Sequence, residues 1–281
     1  MPCARTILQT AVEMTLDGLT LDNIGRRDFV LYQQKDGFRF GTDSVLLAWF
    51  AASFARKTKD GNYRRTTFLE LGSGCGGASM CVAARLPGSE IDCCEIMRSA
   101  WEVLCKNIEA NKISDRVRAY NCDIRKLPDE VRMKQYDVVF TNPPFFNENR
   151  GNKTDAAASS EEKLAGRFEE NGNAEDFIKA AKARVIPSSG HIVMVMKASR
   201  MAEMIDLMTS CNISPVKLMT IHPLADRNAS SFLIAGKVGG TSSQLTVLPP
   251  LILNEACEGS VRQTARITEI YEGEHKDCFI W

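Results

Sequence analysis

The sequence predicts an α/β protein: a doubly wound, seven-stranded, mostly parallel sheet with one antiparallel strand, preceded by a short N-terminal hairpin and helix. Three observations predict it. From Thr66 onward, short apolar runs of strand length alternate with stretches whose apolar residues fall at helical spacing. The first such run opens into a glycine-rich turn, Gly72–Gly76. The last two runs, Ser214–Pro223 and Ser230–Gly240, have no helix between them, so one of them runs against the rest.

The elements follow in order. The first twenty or so residues read as irregular. Phe29–Phe40 reads as a strand, an Asp-Gly turn and a second short strand, a hairpin pattern. Thr42–Lys57 carries apolar residues at helical spacing, with Thr42 or Asp43 suited to the N-cap. Thr66–Leu71 is the first core strand, and Ala78–Leu86 is a helix stopped by Pro87–Gly88. Glu90–Ile96, Arg116–Ile124 and Tyr136–Phe145 are the next strands, with a helix over Ser99–Lys112 between the first two. A polar tract, Asn147–Asn173, forms a long loop. Helices at Ala174–Ile186 and Ser199–Cys211 flank a strand at Gly190–Ala198. Short buried strands separated by helices give a parallel sheet covered on both faces. The chain divides into an N-terminal extension (1–65), a core (66–240) and a C-terminal extension (241–281) that continues past Pro249–Pro250 as a peripheral element.

Composition narrows the function. The 35 basic and 35 acidic residues cancel, so a polyanion would be held by a local patch rather than by the whole surface. Ala55–Arg65 offers such a patch, with Arg56, Lys57, Lys59, Arg64 and Arg65 against Asp60, and reads equally as a solvated helix end. The ten cysteines lack zinc-type spacing and read as reduced, small apolar residues of a cytoplasmic protein. No signal-peptide or membrane-spanning run is present, which predicts no membrane partner. The three histidines are scattered and form no metal or triad pattern, so no metal is expected.

The motifs carry more. In Leu69–Gly76, Gly72, Gly74 and Gly76 let the backbone approach a ligand, and the helix beyond offers unpaired N–H groups. Phosphate-binding turns look similar, but the acidic Glu70 just before this one would repel a pyrophosphate and suits an ammonium group. Glu95 ends the second core strand, where an acidic residue can take two ribose hydroxyls, and Asp123 follows the third, placed for an adenine amine. Each alone reads as a helix cap or turn former. As an ordered set at successive strand ends they point to S-adenosylmethionine.

The stretch Asp137–Phe146, DVVFTNPPFF, ends a buried strand abruptly with Asn142, Pro143, Pro144 and Phe145. An exocyclic amine is a poor nucleophile because its lone pair is delocalised into the ring. Two acceptors on its N–H bonds favour a pyramidal, more nucleophilic nitrogen. Asn142 supplies a side-chain carbonyl and Pro143 a backbone one, presented rigidly because proline fixes φ. Phe145 can stack on a base.

Taken together, Glu-x-Gly-x-Gly-x-Gly, an acidic residue, Asp and Asn-Pro-Pro-Phe resemble the class I, Rossmann-like methyltransferases of the amino-methylating branch, over about Thr66–Gly240. Leu31–Ala51 and Ile221–Gly240 resemble, more narrowly, the bacterial tRNA1(Val) adenine-37 N6-methyltransferases. That resemblance implies a class I methyltransferase fold and methylation of N6 of adenine in a tRNA anticodon loop, whose bases are partly unstacked already. It also implies Thr42, Glu70, Gly72, Gly74, Gly76, Glu95, Asp123 and Asn142 around S-adenosylmethionine, with Asn142, Pro143, Pro144 and Phe145 around the target base. Phe145 departs from the tyrosine common at its position and also suits methylation of guanine N2 in ribosomal RNA. A protein-glutamine N5-methyltransferase and a non-catalytic RNA-binding module are the other readings. Arg150, Lys153, Lys163 and Arg167 of the polar loop are candidate RNA contacts.

Overall fold

The structure, a computed structural model, describes residues 18–26, 28–35, 40–57, 64–143, 172–239, 244–257 and 260–272. Seven strands form the central sheet in the order β5 (Val117–Asn121), β4 (Glu90–Glu95), β3 (Thr67–Leu71), β6 (Val138–Thr141), β7 (His191–Lys197), β9 (Ser231–Val238) and β8 (Ile213–His222). β9 is antiparallel to both neighbours and the other pairings within the seven are parallel, as the missing helix before it predicts.

Strand alternation divides the core. Phe68, Ile91, Cys93, Val138 and Phe140 face one side with helices α1 (Thr42–Ala52), α2 (Gly77–Arg85) and α3 (Arg98–Ala110). Leu69, Leu71, Cys94 and Val139 face the other, with α5 (Ala174–Arg184) and α6 (Met201–Ser210). A single turn, α4 (Asp129–Arg132), precedes β6. α1 is buried from Ser44 to Ala52, which explains a segment apolar almost all round. It packs on α2 and on the sheet.

Two sequence expectations about the strands are corrected. β2 (Val30–Gln34) pairs antiparallel with β1 (Leu19–Asn23), a segment that reads as irregular in sequence. The connection carries left-handed Gly25 and Asp28, and the Asn23 side chain accepts from Gly25 N–H at 2.6 Å. The expected turn at 36–39 lies outside the described residues, as do Pro144, Phe145 and most of the polar loop. Among the described residues the sheet also has nine strands rather than seven. Two-residue strands β10 (Thr246–Val247) and β11 (Leu251–Ile252) add to the outer edge of β8, too short to show any alternation in sequence. A hairpin of β12 (Asn254–Cys257) and β13 (Ser260–Gln263) then leads to helix α7 (Ala265–Glu272).

α1 is capped by neither Thr42 nor Asp43 but by Gly41, whose carbonyl accepts from Ser44 and Val45 N–H. The two side chains make tertiary bonds instead: Ser231 Oγ donates to Asp43 and Tyr271 Oη to Thr42. Among the described residues no helix is long and apolar enough to cross a membrane.

Candidate cofactor and amine site

Strand order reverses between β3 and β6: the chain winds outward through β4 and β5, then returns to β3's other side. A doubly wound sheet opens a crevice there, at the carboxyl ends of its strands. Register places Leu71 beside Thr141, so Gly72 and Asn142 follow on adjacent strands. The glycine turn and the Asn-Pro motif, 70 residues apart in sequence, thus meet at the crevice.

The turn needs its glycines for different reasons. Gly72, Gly74 and Gly76 all have positive φ, at +69°, +55° and +84°. A Cβ on Gly76 would lie 2.3 Å from Leu104 Cδ1, whereas one on Gly74 would meet nothing within 4 Å. Gly76 lets the turn pack; Gly74 leaves its outer side open to a ligand.

Glu95 ends β4, buried, and accepts from Gly74 N–H at 2.7 Å and Met97 N–H at 2.8 Å. Burial raises its pKa, opposed by those N–H groups. Asp123, past the end of β5, is pulled below the usual carboxylate range, chiefly by hydrogen bonds from Arg125. Arg125 Nη2 reaches it at 2.7 Å, so an adenine amine would share or displace that guanidinium.

Glu70 engages its carboxylate beneath the start of α2. It shares strand parity with Phe68, faces α2, and accepts from both Ser79 N–H (3.1 Å) and Ser79 Oγ. Burial pushes its pKa up to about 8, against the Ser79 bonds that lower it. Its carboxyl group braces the start of α2, so any effect on a ligand passes through the turn.

Thr42 is linked to the start of α2 through Phe40. Phe40's ring fills the space beside Gly77, at α2's first residue, where an added Cβ would lie 2.3 Å from Phe40 Cδ2. Thr42, two residues on, opens α1. Asn142 is half-buried and its Oδ1, itself buried, has no hydrogen-bond partner among the described residues. A buried orphan acceptor is costly unless a ligand satisfies it. Pro143 beside it is buried.

Carboxylates and an open glycine, with no basic residue in the turn, fit a cationic ligand bearing hydroxyls better than a pyrophosphate. No group of three or more His, Cys, Asp or Glu placed to hold a metal ion occurs among the described residues.

Three contributors were not read from the sequence. Thr141 Oγ1 donates to the Leu71 carbonyl, and Asn121 Nδ2 donates to Glu95 and Ile96 carbonyls. Asn107, fully buried on α3, donates to the Cys75 carbonyl in the turn at 2.9 Å. A polar residue on an otherwise apolar helix face is the only signal for Asn107.

Comparisons with known proteins agree with this architecture. A protein from Flavobacterium psychrophilum named tRNA1(Val) (adenine(37)-N6)-methyltransferase is 27% identical over 196 residues, 69% of this chain and 76% of its own. One of the same name from Christiangramia forsetii is 25% identical over 210 residues, 74% of this chain and 81% of its own. Among solved structures, one from Agrobacterium tumefaciens described as a predicted O-methyltransferase superposes with a TM-score of 0.61 at 23% identity, over 83% of this chain and 96% of its own, a likeness of fold. The family model described as "Methyltransferase small domain" matches residues 51–213, more than half the chain. The chain therefore belongs to the methyltransferase small domain family.

Proposed function

We propose that this methyltransferase moves a methyl group from S-adenosylmethionine to the N6 amine of an adenine in tRNA, in the cytoplasm. The observation that carries the reading is the orphan Oδ1 of Asn142 at the switch point, one residue before the buried Pro143. The relatives named for adenine-37 methylation in tRNA1(Val) support the choice of base and RNA.

Bound S-adenosylmethionine supplies an electrophilic methyl group on a sulfonium. Glu95 accepts from the ribose hydroxyls, while Gly74 lets the backbone approach and Gly72 and Gly76 pack the turn against Phe177 and Leu104. Asp123 takes the adenine amine of the cofactor once Arg125 yields. Thr42 borders the same crevice. At the target, Asn142 Oδ1 and the Pro143 carbonyl accept the two N–H bonds of the substrate amine, which turns its lone pair toward the methyl group. Pro144 stiffens the loop and Phe145 stacks on the base. The chemistry is then mostly positioning and electrostatics.

The test is methyl transfer from labelled S-adenosylmethionine into total bacterial tRNA, followed by nucleoside digestion and mass identification. The reading expects N6-methyladenosine that disappears with Asn142→Ala. Methylguanosine would move the target to guanine N2. Tight cofactor binding without an RNA product would favour a protein amide. A wild type that binds no cofactor would favour an RNA-binding module.

A further inference from the structure

We propose that Tyr271, on the C-terminal helix α7, is a positioning residue for the cofactor crevice: its hydroxyl fixes the side chain of Thr42 at the mouth of the glycine turn. The proposal rests on the methyltransferase reading of that crevice, and Tyr271 lies outside the stretch that matches the family.

The segment Phe40–Asp43 is held at three residues by four different elements. Phe40's ring fills the space beside Gly77 at the start of α2, and its N–H donates to Gln33 Oε1 at 2.6 Å. Asp43 accepts from Ser231 Oγ, at the start of β9, at 3.2 Å. Between them, Thr42 Oγ1 accepts from Tyr271 Oη at 3.2 Å. The first bond holds the backbone at Phe40 and the second the Asp43 side chain. Only the third acts on the Thr42 side chain.

With the tyrosine as its donor, that bond has a consequence. A hydroxyl has one proton and two lone pairs. With a lone pair of Thr42 Oγ1 engaged by the tyrosine, its own proton is left for an acceptor, and a hydroxyl that receives one hydrogen bond donates a stronger one. Thr42 is half-exposed, and a Cβ on the preceding Gly41 would meet nothing within 4 Å, so this flank has room for a ligand. Burial raises the Tyr271 phenol pKa above its ordinary value, so the phenol keeps the proton it would donate. Tyr271 therefore sets Thr42 as a donor toward the bound cofactor.

The helix carrying Tyr271 is anchored without this hydroxyl. Ile267 and Ile270 are buried in the core. The Ile270 carbonyl accepts from Arg85 Nη2 at 2.6 Å, out of α2, and from Arg26 Nη2 at 2.8 Å, between β1 and β2. Removing one phenolic oxygen should leave α7 docked.

The experiment is calorimetric titration of the purified full chain with S-adenosylmethionine, alongside thermal denaturation and steady-state kinetics. Tyr271→Phe should weaken cofactor binding three- to tenfold, raise KM for the cofactor by more than it lowers kcat, and move the apo Tm by about a degree. Thr42→Val should weaken binding to the same extent, the double variant no further than Thr42→Val alone, and Thr42→Ser should bind like wild type. Wild-type affinity in Tyr271→Phe, or full additivity in the double variant, overturns the proposal. Should Tyr271→Phe lose several degrees of Tm, the double-variant cycle on affinity still decides it. A wild type that fails to bind S-adenosylmethionine sinks the underlying reading instead, which the same titration separates.

Discussion

Thr141 Oγ1 donates to the carbonyl oxygen of Leu71 at 2.7 Å, joining the last residue of β6 to the last residue of β3. The next residues are Asn142 and Gly72, so this buried bond sets the spacing between the amine acceptor and the glycine turn. Thr141→Val keeps the shape and deletes the bond. It should cost about 1 kcal/mol of stability in urea titration and lower kcat by more than it changes cofactor affinity.

Gly74 and Gly76 should separate under the same substitution. Gly76→Ala forces a Cβ to 2.3 Å from Leu104 in a left-handed conformation, so it should unfold at a clearly lower temperature. Gly74→Ala meets no atom and carries only the conformational cost of about 1–2 kcal/mol. Its main effect should be on cofactor titration, with at least tenfold weaker binding.

Asn107 donates to the Cys75 carbonyl and to the Tyr32 carbonyl, and accepts from Tyr32 N–H at 2.6 Å. Asn107→Leu leaves those part-buried backbone groups without this partner, at about 1 kcal/mol each. Lower stability and weaker cofactor binding should appear together in that variant, measured by denaturation and calorimetry.

His191, at the start of β7, stacks near Phe54 with ring centroids 4.4 Å apart. Burial, then Lys237 and Lys217, hold its pKa down to about 3 from an ordinary 6.5. Between those values the unfolded chain takes a proton that the folded one refuses, so its contribution is intact above pH 6.5 and is lost as pH falls. In His191→Gln, the drop in unfolding free energy from pH 7 to pH 5 should shrink by about 1–2 kcal/mol.

Arg64 and Arg65 belong to the basic stretch that reads as a candidate RNA patch. The structure sets them at the amino end of β3, opposite the crevice, where Arg65 pairs with Glu90 and nearby Arg56 pairs with Asp137 at 2.5 Å. Arg64→Ala with Arg65→Ala should change tRNA affinity less than twofold at each of several salt concentrations. A reduced salt slope would return the patch to the RNA path.

The sheet and its site were legible because they repeat one local rule: an apolar run, then a special residue at its carboxyl end. Gly72, Glu95, Asp123 and Asn142 all obey it, and the structure brings their strand ends to one edge. Glu70 sits one residue short of that end, on the same face of the sheet as Glu95 but deeper, under α2, where only knowledge of Ser79 explains its burial. β1 was missed because its polar and apolar residues read as loop until β2 is placed beside it. Thr42 was read as a cap, but its oxygen is claimed by Tyr271, 229 residues away. Contacts of that range leave no trace in local pattern.

The outer edge of β2 shows how such a contact can protect a fold. Asn111 exchanges hydrogen bonds with both backbone groups of Val30, and Asn107 with both of Tyr32. The match is metric: four residues of helix rise about 6 Å, and two residues of strand about 6.6 Å. Two amide side chains on α3 thereby act as a third strand for the β1–β2 ribbon. An open ribbon edge is a template for pairing with other chains. Here a helix closes it, so aggregation through this edge is blocked by the element that also steadies the glycine turn.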